Sequence, residues 1–95
     1  MSDIDLRDEP ARHRFELLVD GELAGLADYR RHDGYLTVIH SEVDPRFRGR
    51  GLGGELASRS LDLIRARGEK VKPVCPFFAR YVEEHPEYDD IVVTG

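Results

Sequence analysis

Apolar and polar residues alternate along the first half of the chain, as they do in half-buried β-strands. The alternation predicts strands over residues 13–19, 22–31 and 35–43, and the last of these is rich in β-branched side chains. Asp20-Gly21 separates the first two strands and is a strong signal for a two-residue hairpin turn. The first half therefore predicts a three-stranded antiparallel meander.

One glycine interrupts the second predicted strand. Gly25 lies within it, where glycine indicates a bulge or a close approach of another backbone segment. The alternation also predicts which side chains share a face of the sheet. It places Leu23, Gly25, Ala27 and Tyr29 on one face, and Ala24, Leu26 and Asp28 on the other.

The second half of the chain changes to helical spacing. Apolar residues recur at helical intervals over 52–64, and Gly68 is a suitable residue just beyond the end of such a helix. A short strand is predicted over 69–74. A crossover helix of this length returns that strand parallel to the strand over 35–43.

A second helix is predicted after this strand. Pro76 suits its first turn, where the missing N–H would have no partner, and Pro86 ends it. Residues 91–93 (Ile-Val-Val) then suit a last short strand. The side chains that would share one side of this helix are Phe77, Phe78, Tyr81, Val82 and His85.

This order of elements predicts an α+β (α/β) fold, with an antiparallel meander followed by β-α-β and a C-terminal helix. A length of 95 residues fits a single domain. Residues 1–12 are polar and acidic with little periodicity, so we expect them to form a flexible, exposed lead-in.

The overall charge narrows the classes of partner. Fourteen Lys and Arg against 19 Asp and Glu give a net charge of −5, which argues against a general nucleic-acid-binding protein. No apolar run approaches the roughly 20 residues that span a bilayer, and the polar N-terminus does not resemble a signal peptide. Cys75 is the single cysteine and has no partner for an internal disulfide. We therefore expect a cytoplasmic protein that contacts neither membrane nor nucleic acid, as a monomer or a weak homodimer.

A glycine-rich segment with three arginines stands out against this acidic background. The chain runs Arg46-Phe47-Arg48-Gly49-Arg50-Gly51-Leu52-Gly53-Gly54 just where the first helix is predicted to begin. Backbone N–H groups at a helix N-terminus are unpaired, and glycine lets a phosphate approach them closely. The segment is therefore either an anion site suited to a pyrophosphate or an exposed glycine turn with clustered arginines. It matches neither the P-loop nor the dinucleotide fingerprint in spacing.

The segment resembles the acetyl-CoA motif of GNAT-type N-acetyltransferases. Arg48-x-x-Gly51-x-Gly53 matches the family pattern Gln/Arg-x-x-Gly-x-Gly/Ala, after a strand and at the start of a helix. The flanks His40-Ser41-Glu42-Val43 and Pro73-Val74-Cys75-Pro76-Phe77 extend the resemblance to a minimal branch of that superfamily. The resemblance covers residues 13–88 and implies the twisted mixed sheet of that family.

The resemblance implies a binding mode for acetyl-CoA as co-substrate, without a metal or a redox cofactor. The backbone of Val43 would pair with the pantetheine arm in the manner of an added strand. The strands over 35–43 and 69–74 would splay apart, with the acetyl thioester in the gap and an amine attacking it directly. The amides that would hold the pyrophosphate belong to Arg48, Gly49, Arg50, Gly51, Leu52, Gly53 and Gly54.

The chain departs from larger members of that family in two ways. Many relatives carry helices between the first and second strands that wall the acceptor site, whereas here the tight turn Asp20-Gly21 follows the first predicted strand. The acceptor side should therefore be open or completed by another molecule. Relatives also carry a tyrosine acid seven residues after the strand that follows the helix. That position is Val82 when counted from Cys75, and Tyr81 lies one residue earlier, so Tyr81 is either this acid or a packing residue.

Three further residues are candidates for catalysis. Cys75 precedes the predicted second helix, where a thiolate is favoured, and would either accept the acetyl group or line the pocket. His40 and Glu42 are two apart on one strand and so share a face. Glu42 is the preferred base for an incoming ammonium, with His40 tuning or replacing it, and the alternative is a solvated polar face.

Taken together, the residues and the resemblance predict an acetyl-CoA-dependent N-acyltransferase that moves an acetyl group to an amine by direct attack. The amine belongs to a small molecule or to a protein. The alternative is a module that binds CoA or acetyl-CoA without turnover and acts as a sensor or a partner subunit.

Overall fold

The computed structural model describes residues 3–93 as five strands, two α-helices and three short 3₁₀ turns. The strands lie in one sheet in chain order. Each of the first four pairs antiparallel with the next of these four, and the fifth pairs parallel with the fourth. The predicted mixed α+β architecture is thereby confirmed. The strands are β1 (Ile4–Glu9), β2 (Arg14–Val19), β3 (Glu22–Arg31), β4 (Tyr35–Val43) and β5 (Lys70–Pro73). The helices are α1 (Leu52–Ala66) and α2 (Pro76–Glu84), and the 3₁₀ turns cover Pro10–Arg12, Pro45–Phe47 and Pro86–Ile91.

The strand β1 corrects the expectation of a flexible lead-in over residues 1–12. It pairs with β2 along its whole length, from Ile4 opposite Val19 to Glu9 opposite Arg14. Met1 and Ser2 lie outside the described residues. The meander therefore has four strands, and the connection between the first two is the single 3₁₀ turn Pro10–Arg12. The tight turn at Asp20-Gly21 joins the second strand to the third.

A buried carboxylate explains why β1 docks despite its charge. The side chain of Asp8 is 7% exposed and accepts a 2.6 Å hydrogen bond from the hydroxyl of Tyr29 and another of 2.6 Å from Nη1 of Arg67. Ile4 and Leu6 pack against the core on the same side of the strand. Burial and then the Asp8 hydrogen bond raise the pKa of Tyr29 above its ordinary value. These contacts tie the N-terminal strand to both β3 and the end of α1.

The glycine in β3 marks a bulge and a close approach, as predicted. Leu17 pairs with Gly25 and Leu18 with Leu23, so Ala24 is the extra residue of the bulge. A Cβ on Gly25 would lie 3.0 Å from the carbonyl oxygen of Glu42. The strict alternation over Leu23 and Ala24 was wrong, because the bulge turns Leu23 outward and buries Ala24.

A second bulge divides β4 into two halves. Tyr29 pairs with Val38 and Asp28 pairs with His40, so Ile39 is the extra residue. The even-numbered Val38 faces the core, but beyond the bulge the odd-numbered Ser41 faces inward. The bulge thereby reverses which side chains of β4 reach each face of the sheet.

The helices α1 and α2 lie side by side on one face of the sheet. Tyr88, in the turn after α2, donates a 2.8 Å hydrogen bond to Asp62 of α1. Phe78 and Val82 of α2 join the single hydrophobic core, whereas Phe77 is 45% exposed, so the predicted apolar side of this helix was wrong at Phe77. Within residues 3–93 the opposite face of the sheet carries no α-helix. Within the same range no helix is long and apolar enough to cross a membrane.

The last strand predicted over residues 91–93 is reduced to a bridge beside β5. Pro86–Ile91 is a 3₁₀ helix, and within residues 3–93 one parallel bridge, between Val71 and Val92, follows it. Val93 donates a 2.8 Å hydrogen bond to the carbonyl of Val71. The bridge covers part of the outer edge of β5, which limits exposed strand edge there.

Candidate functional site

The strands β4 and β5 diverge after four paired residues. Their ladder ends with Val38 opposite Pro73, and the carbonyl of Val38 then accepts the N–H groups of both Val74 (3.0 Å) and Cys75 (2.8 Å). Pro73 has no N–H to donate and Pro76 begins α2, so the chain turns away from β4 at this point. Among the described residues no strand pairs with 39–43 on this side, and a gap opens there.

The gap opens into a groove of 190 Å³ between β4, α1 and α2. Three of its lining residues, Glu42, Val43 and Gly53, were predicted from the sequence. The others, Ser41, Leu56 and Phe77, were not assigned to the site. Helical spacing placed Phe77 on the apolar side of α2. That spacing does not reveal that the Phe77 ring lies over Gly53 at the start of α1.

Cys75 lies at the bottom of the gap. Its side chain is 4% exposed, and its Sγ is 3.2 Å from Oγ of Ser41 on the opposite strand. Cys75 is the N-cap residue of α2, yet its side chain makes no capping hydrogen bond to the helix amides. The thiol therefore interacts with a neighbouring hydroxyl group across the gap rather than with the helix N-terminus.

His40 and Glu42 point to the other face of β4, away from Ser41. Nε2 of His40 and Oε2 of Glu42 are 3.0 Å apart, and both side chains are more than half exposed. The bulge at Ile39 produces this arrangement, because it turns the even-numbered residues out of the core side. Glu42 nevertheless lines the groove, so this residue borders the groove while its side chain is exposed on the open face of the sheet.

The loop between β4 and α1 is fixed by Asp44 and Phe47. Oδ1 of Asp44 accepts the N–H of Arg46 at 2.9 Å, and the carboxylate also pairs with the Arg46 guanidinium. These hydrogen bonds lower the pKa of Asp44, and the largest contribution comes from the backbone N–H of Arg46. Phe47 is buried, and the guanidinium groups of Arg46 and Arg50 lie 5.6 and 5.5 Å from its ring centre. Arg48 follows in extended conformation and is exposed.

Glycines shape the N-terminus of α1. Gly49 (φ 76°) and Gly51 (φ 70°) adopt the left-handed conformation, and Gly51 is an N-cap without any side-chain hydrogen bond to the helix. A Cβ on Gly53 would lie 3.0 Å from the ring of Phe77, so any side chain there would require the ring to shift. A Cβ on Gly54 would have no atom within 4 Å. The N-terminal turn of α1 therefore has open space beside Gly51 and Gly54, and its N-cap residue offers no side-chain acceptor to the first amides, including that of Leu52.

Tyr81 lies one helical turn beyond Phe77 and outside the groove. Its hydroxyl interacts with Ser58 of α1, and its ring stacks on His85 with centres 3.8 Å apart. Burial is the largest cause that raises the pKa of Tyr81 above its ordinary value. The structure thus joins His40 to Glu42 on one face of β4 and Ser41 to Cys75 across the gap, but places Tyr81 in the contact between α1 and α2. Within residues 3–93 no three His, Cys, Asp or Glu side chains are grouped to hold a metal ion.

Comparison with known proteins identifies the family. The profile of the GCN5-related N-acetyl-transferase family matches residues 14–91, which is most of the chain. The chain is 36% identical over 51 residues to Protein NATD1 of Xenopus tropicalis and to Protein NATD1 of Homo sapiens. Each match covers 54% of this chain, with 47% of the Xenopus and 45% of the human protein. The chain therefore spans about half the length of these relatives.

Solved structures share the fold at low sequence identity. A GCN5-like protein from Staphylococcus aureus superposes with a TM-score of 0.71 and 20% identity, over 100% of this chain and 93% of that one. The ribosomal-protein-S18-alanine N-acetyltransferase of Escherichia coli gives a TM-score of 0.60 and 20% identity, over 77% of this chain and 66% of that one. The family profile and the shared fold agree with the mixed α+β sheet described above. The chain belongs to the GCN5-related N-acetyltransferase family.

Proposed function

We propose that this protein transfers the acetyl group of acetyl-CoA to a primary amine by direct attack. The observation that carries the proposal is that the first turn of α1 and the unpaired second half of β4 line one groove, next to the gap between β4 and β5. The first feature suits a pyrophosphate, and the second suits an extended arm that ends in a thioester. Both belong to a chain that is a member of an N-acetyltransferase family.

The residues at the start of α1 fit the CoA pyrophosphate. Glycine at a helical position costs up to about 1 kcal/mol relative to alanine. Gly54 carries this cost although no neighbouring atom forbids a side chain. Open space above the uncapped amides is what an incoming phosphate needs. Arg48 and Arg50 add positive charge beside it, in a protein whose net charge is −5.

The second half of β4 fits the pantetheine arm. The described part of the chain leaves 39–43 without a partner strand on the β5 side, so Val43 can offer its backbone to the amides of the arm. Leu56 and Phe77 supply apolar surface to the same groove. The thioester would then reach the gap beside Ser41 and Cys75.

Glu42 is the base that we assign to the reaction. An ammonium has no lone pair, so it must lose a proton before it attacks; Glu42 accepts that proton, with His40 hydrogen-bonded to the same carboxylate. The amine nitrogen forms a bond to the thioester carbon, the carbon–sulfur bond breaks, and CoA leaves as a thiolate. The acylated nitrogen then gives up its extra proton, and water in this open site passes that proton to the thiolate. Cys75 lines the gap in this scheme and forms no bond to the acetyl group.

A matched pair of glycine substitutions tests the CoA site. Gly51→Val places a branched side chain over the helix N-terminus, and Gly34→Val imposes the same left-handed strain (φ 87°) in the turn before β4. Calorimetric titration should show that Gly51→Val loses most of its affinity for acetyl-CoA while Gly34→Val keeps it. Equal affinities in the two variants would refute the assignment.

A binding module without turnover is the second candidate. It is favoured by the single 3₁₀ turn Pro10–Arg12 between β1 and β2, which leaves the face beside Glu42 without a covering helix. Incubation with acetyl-CoA and a panel of primary amines separates the two functions. Acetylated amine supports the enzyme, whereas tight binding of acetyl-CoA with no product from any amine supports the module.

A further inference from the structure

A second cavity lies beside Glu42, at the end of the hairpin formed by β3 and β4. Its volume is 350 Å³, larger than that of the groove that we assign to CoA. Glu42 and Val43 line both, so the two cavities meet along the last residues of β4. The residues that line the second cavity are Leu23, Ala24, Gly25, Leu26, Glu42, Val43, Asp44 and Pro45.

The bulge in β3 forms the apolar floor of this cavity. Because Ala24 is the extra residue, Leu23 is turned out of the core and remains 39% exposed. Leu26 lies half-buried beside it. The N–H of Asp44 donates a 2.8 Å hydrogen bond to the carbonyl of Ala24, which holds the two strands together at this end. An exposed leucine within a fixed concave surface indicates a place for an apolar group of a ligand.

The charges around this floor favour a cation. Two acidic residues, Glu42 and Asp44, line the cavity. Asp44 is already engaged by Arg46 through its backbone and guanidinium N–H groups. Among residues 3–93 the carboxylate of Glu42 is paired with the imidazole of His40 at 3.0 Å, and the side chain is more than half exposed, so it can accept a second donor. The cavity thus combines an apolar floor with one anionic end, and that end is next to the gap.

We propose that this cavity is the acceptor site, and that its ligand is a primary ammonium on an unbranched aliphatic stem. The inference rests on the proposed function and adds the acceptor class to it. The ammonium pairs with Glu42 at the end nearest the thioester, and the methylene groups lie on Leu23 and Leu26. A free linear diamine and the side chain of a peptide lysine share this chemistry.

Charge substitutions at Leu23 test the proposal. Leu23→Lys and Leu23→Glu remove the same apolar surface but add opposite charges, and Leu23→Gln is the neutral control. With 1,5-diaminopentane as acceptor, we expect Leu23→Lys to raise KM about tenfold above Leu23→Gln, and Leu23→Glu to leave it equal or lower. The Kd for acetyl-CoA should be the same in all three variants. Because Leu23 is exposed, each variant should fold. The substitutions Leu26→Lys and Leu26→Gln provide an independent test of the same charge effect.

Two acceptor arms distinguish the sources of the amine. The two acceptors are 1,5-diaminopentane and a lysine-containing peptide. If the charge at Leu23 changes the KM of both, the site accepts both sources of amine. If it changes the KM of one acceptor, that acceptor is the source. Glycinamide, which has no aliphatic stem, should be a poor acceptor in every variant. If the parent acetylates amines but Lys, Glu and Gln at Leu23 share one KM, the acceptor site is wrong while the proposed function stands. If acetyl-CoA is bound and no amine is acetylated, both proposals are wrong.

Discussion

Oγ of Ser41 and Sγ of Cys75 lie 3.2 Å apart across the gap between β4 and β5. Each residue belongs to one of the two diverging chain segments, so the contact joins them at the point where backbone pairing stops. The thiol is nearly buried and makes no capping bond to α2. This environment is that of a packed thiol with one hydroxyl partner, and it is the basis for assigning Cys75 a lining role.

Substitution of Cys75 and Glu42 should therefore have different effects on turnover. We expect Cys75→Ala to retain most of the activity, because the amine attacks the thioester directly. Glu42→Gln should lower kcat/KM by about 10² to 10⁴-fold, the usual scale for loss of a general base. Steady-state kinetics with a primary amine measures both effects.

Intact-protein mass spectrometry provides the decisive control for Cys75. A brief pulse of acetyl-CoA followed by an amine chase should leave the protein mass unchanged at every time point. An acetyl group on Cys75 that appears and disappears at the turnover rate would instead establish a covalent intermediate, and Cys75→Ala would then be inactive.

Gly54→Ala should change stability and affinity in opposite directions. Alanine is the better helix former by up to about 1 kcal/mol, and its Cβ meets no atom of the protein, so the melting temperature should rise. The same methyl group enters the space assigned to the pyrophosphate, and the Kd for acetyl-CoA should rise about tenfold. Gly68→Asn, beyond the other end of α1, is the control and should leave the Kd unchanged. A stabilised Gly54→Ala protein with parental affinity would move the phosphate site elsewhere.

The N-terminal strand should contribute to stability through Asp8. Asp8→Ala leaves the buried hydroxyl of Tyr29 without its acceptor and removes the partner of Arg67. We expect a loss of about 2 kcal/mol in the free energy of unfolding, measured by urea titration. Asp5→Ala, at an exposed position of the same strand, should change the midpoint little. Equal midpoints for the two variants would mean that β1 contributes little to the folded state.

Stability should fall at alkaline pH through buried tyrosines. Burial, followed by the hydrogen bond to Asp62, raises the pKa of Tyr88 well above its ordinary value. The unfolded chain loses this proton near pH 10 while the folded chain keeps it, so the stabilising effect is complete below that pH and is lost above it. The slope reaches about 1.4 kcal/mol per pH unit for one such group. Tyr88→Phe cannot titrate, so its stability should fall less steeply between pH 10 and 11; parallel curves would contradict this assignment.

Local signals in the sequence predicted β2 to β5, both helices and the glycine loop. Each of these depends on neighbouring residues, such as the Asp20-Gly21 hairpin, the helical spacing from Leu52 and the prolines Pro76 and Pro86. The strand β1 was missed because only two apolar residues, Ile4 and Leu6, mark its inward side, and the next inward position is the charged residue Asp8. The burial of Asp8 depends on Tyr29 and Arg67, which are distant in the chain.

The side chains of the site were harder to predict than its backbone. The bulge at Ile39 is a property of the pairing between β3 and β4, and no residue of β4 marks it. The pairing of His40 with Glu42 could be predicted from their spacing, but the contact between Ser41 and Cys75 could not, because it depends on the bulge. The position of Phe77 over Gly53 likewise depends on how α2 approaches α1.

The bulge at Ile39 also affects how this protein can be altered. Before it, Leu36 and Val38 fill the core; after it, residues 40–43 face the gap and the open face of the sheet. One strand therefore holds a structural half and a chemical half that are separated by a single inserted residue. Substitutions at 40 and 42 change side chains that lie outside the core and leave the interior packing intact, whereas deletion of Ile39 would exchange the two sides and turn His40 and Glu42 toward the core.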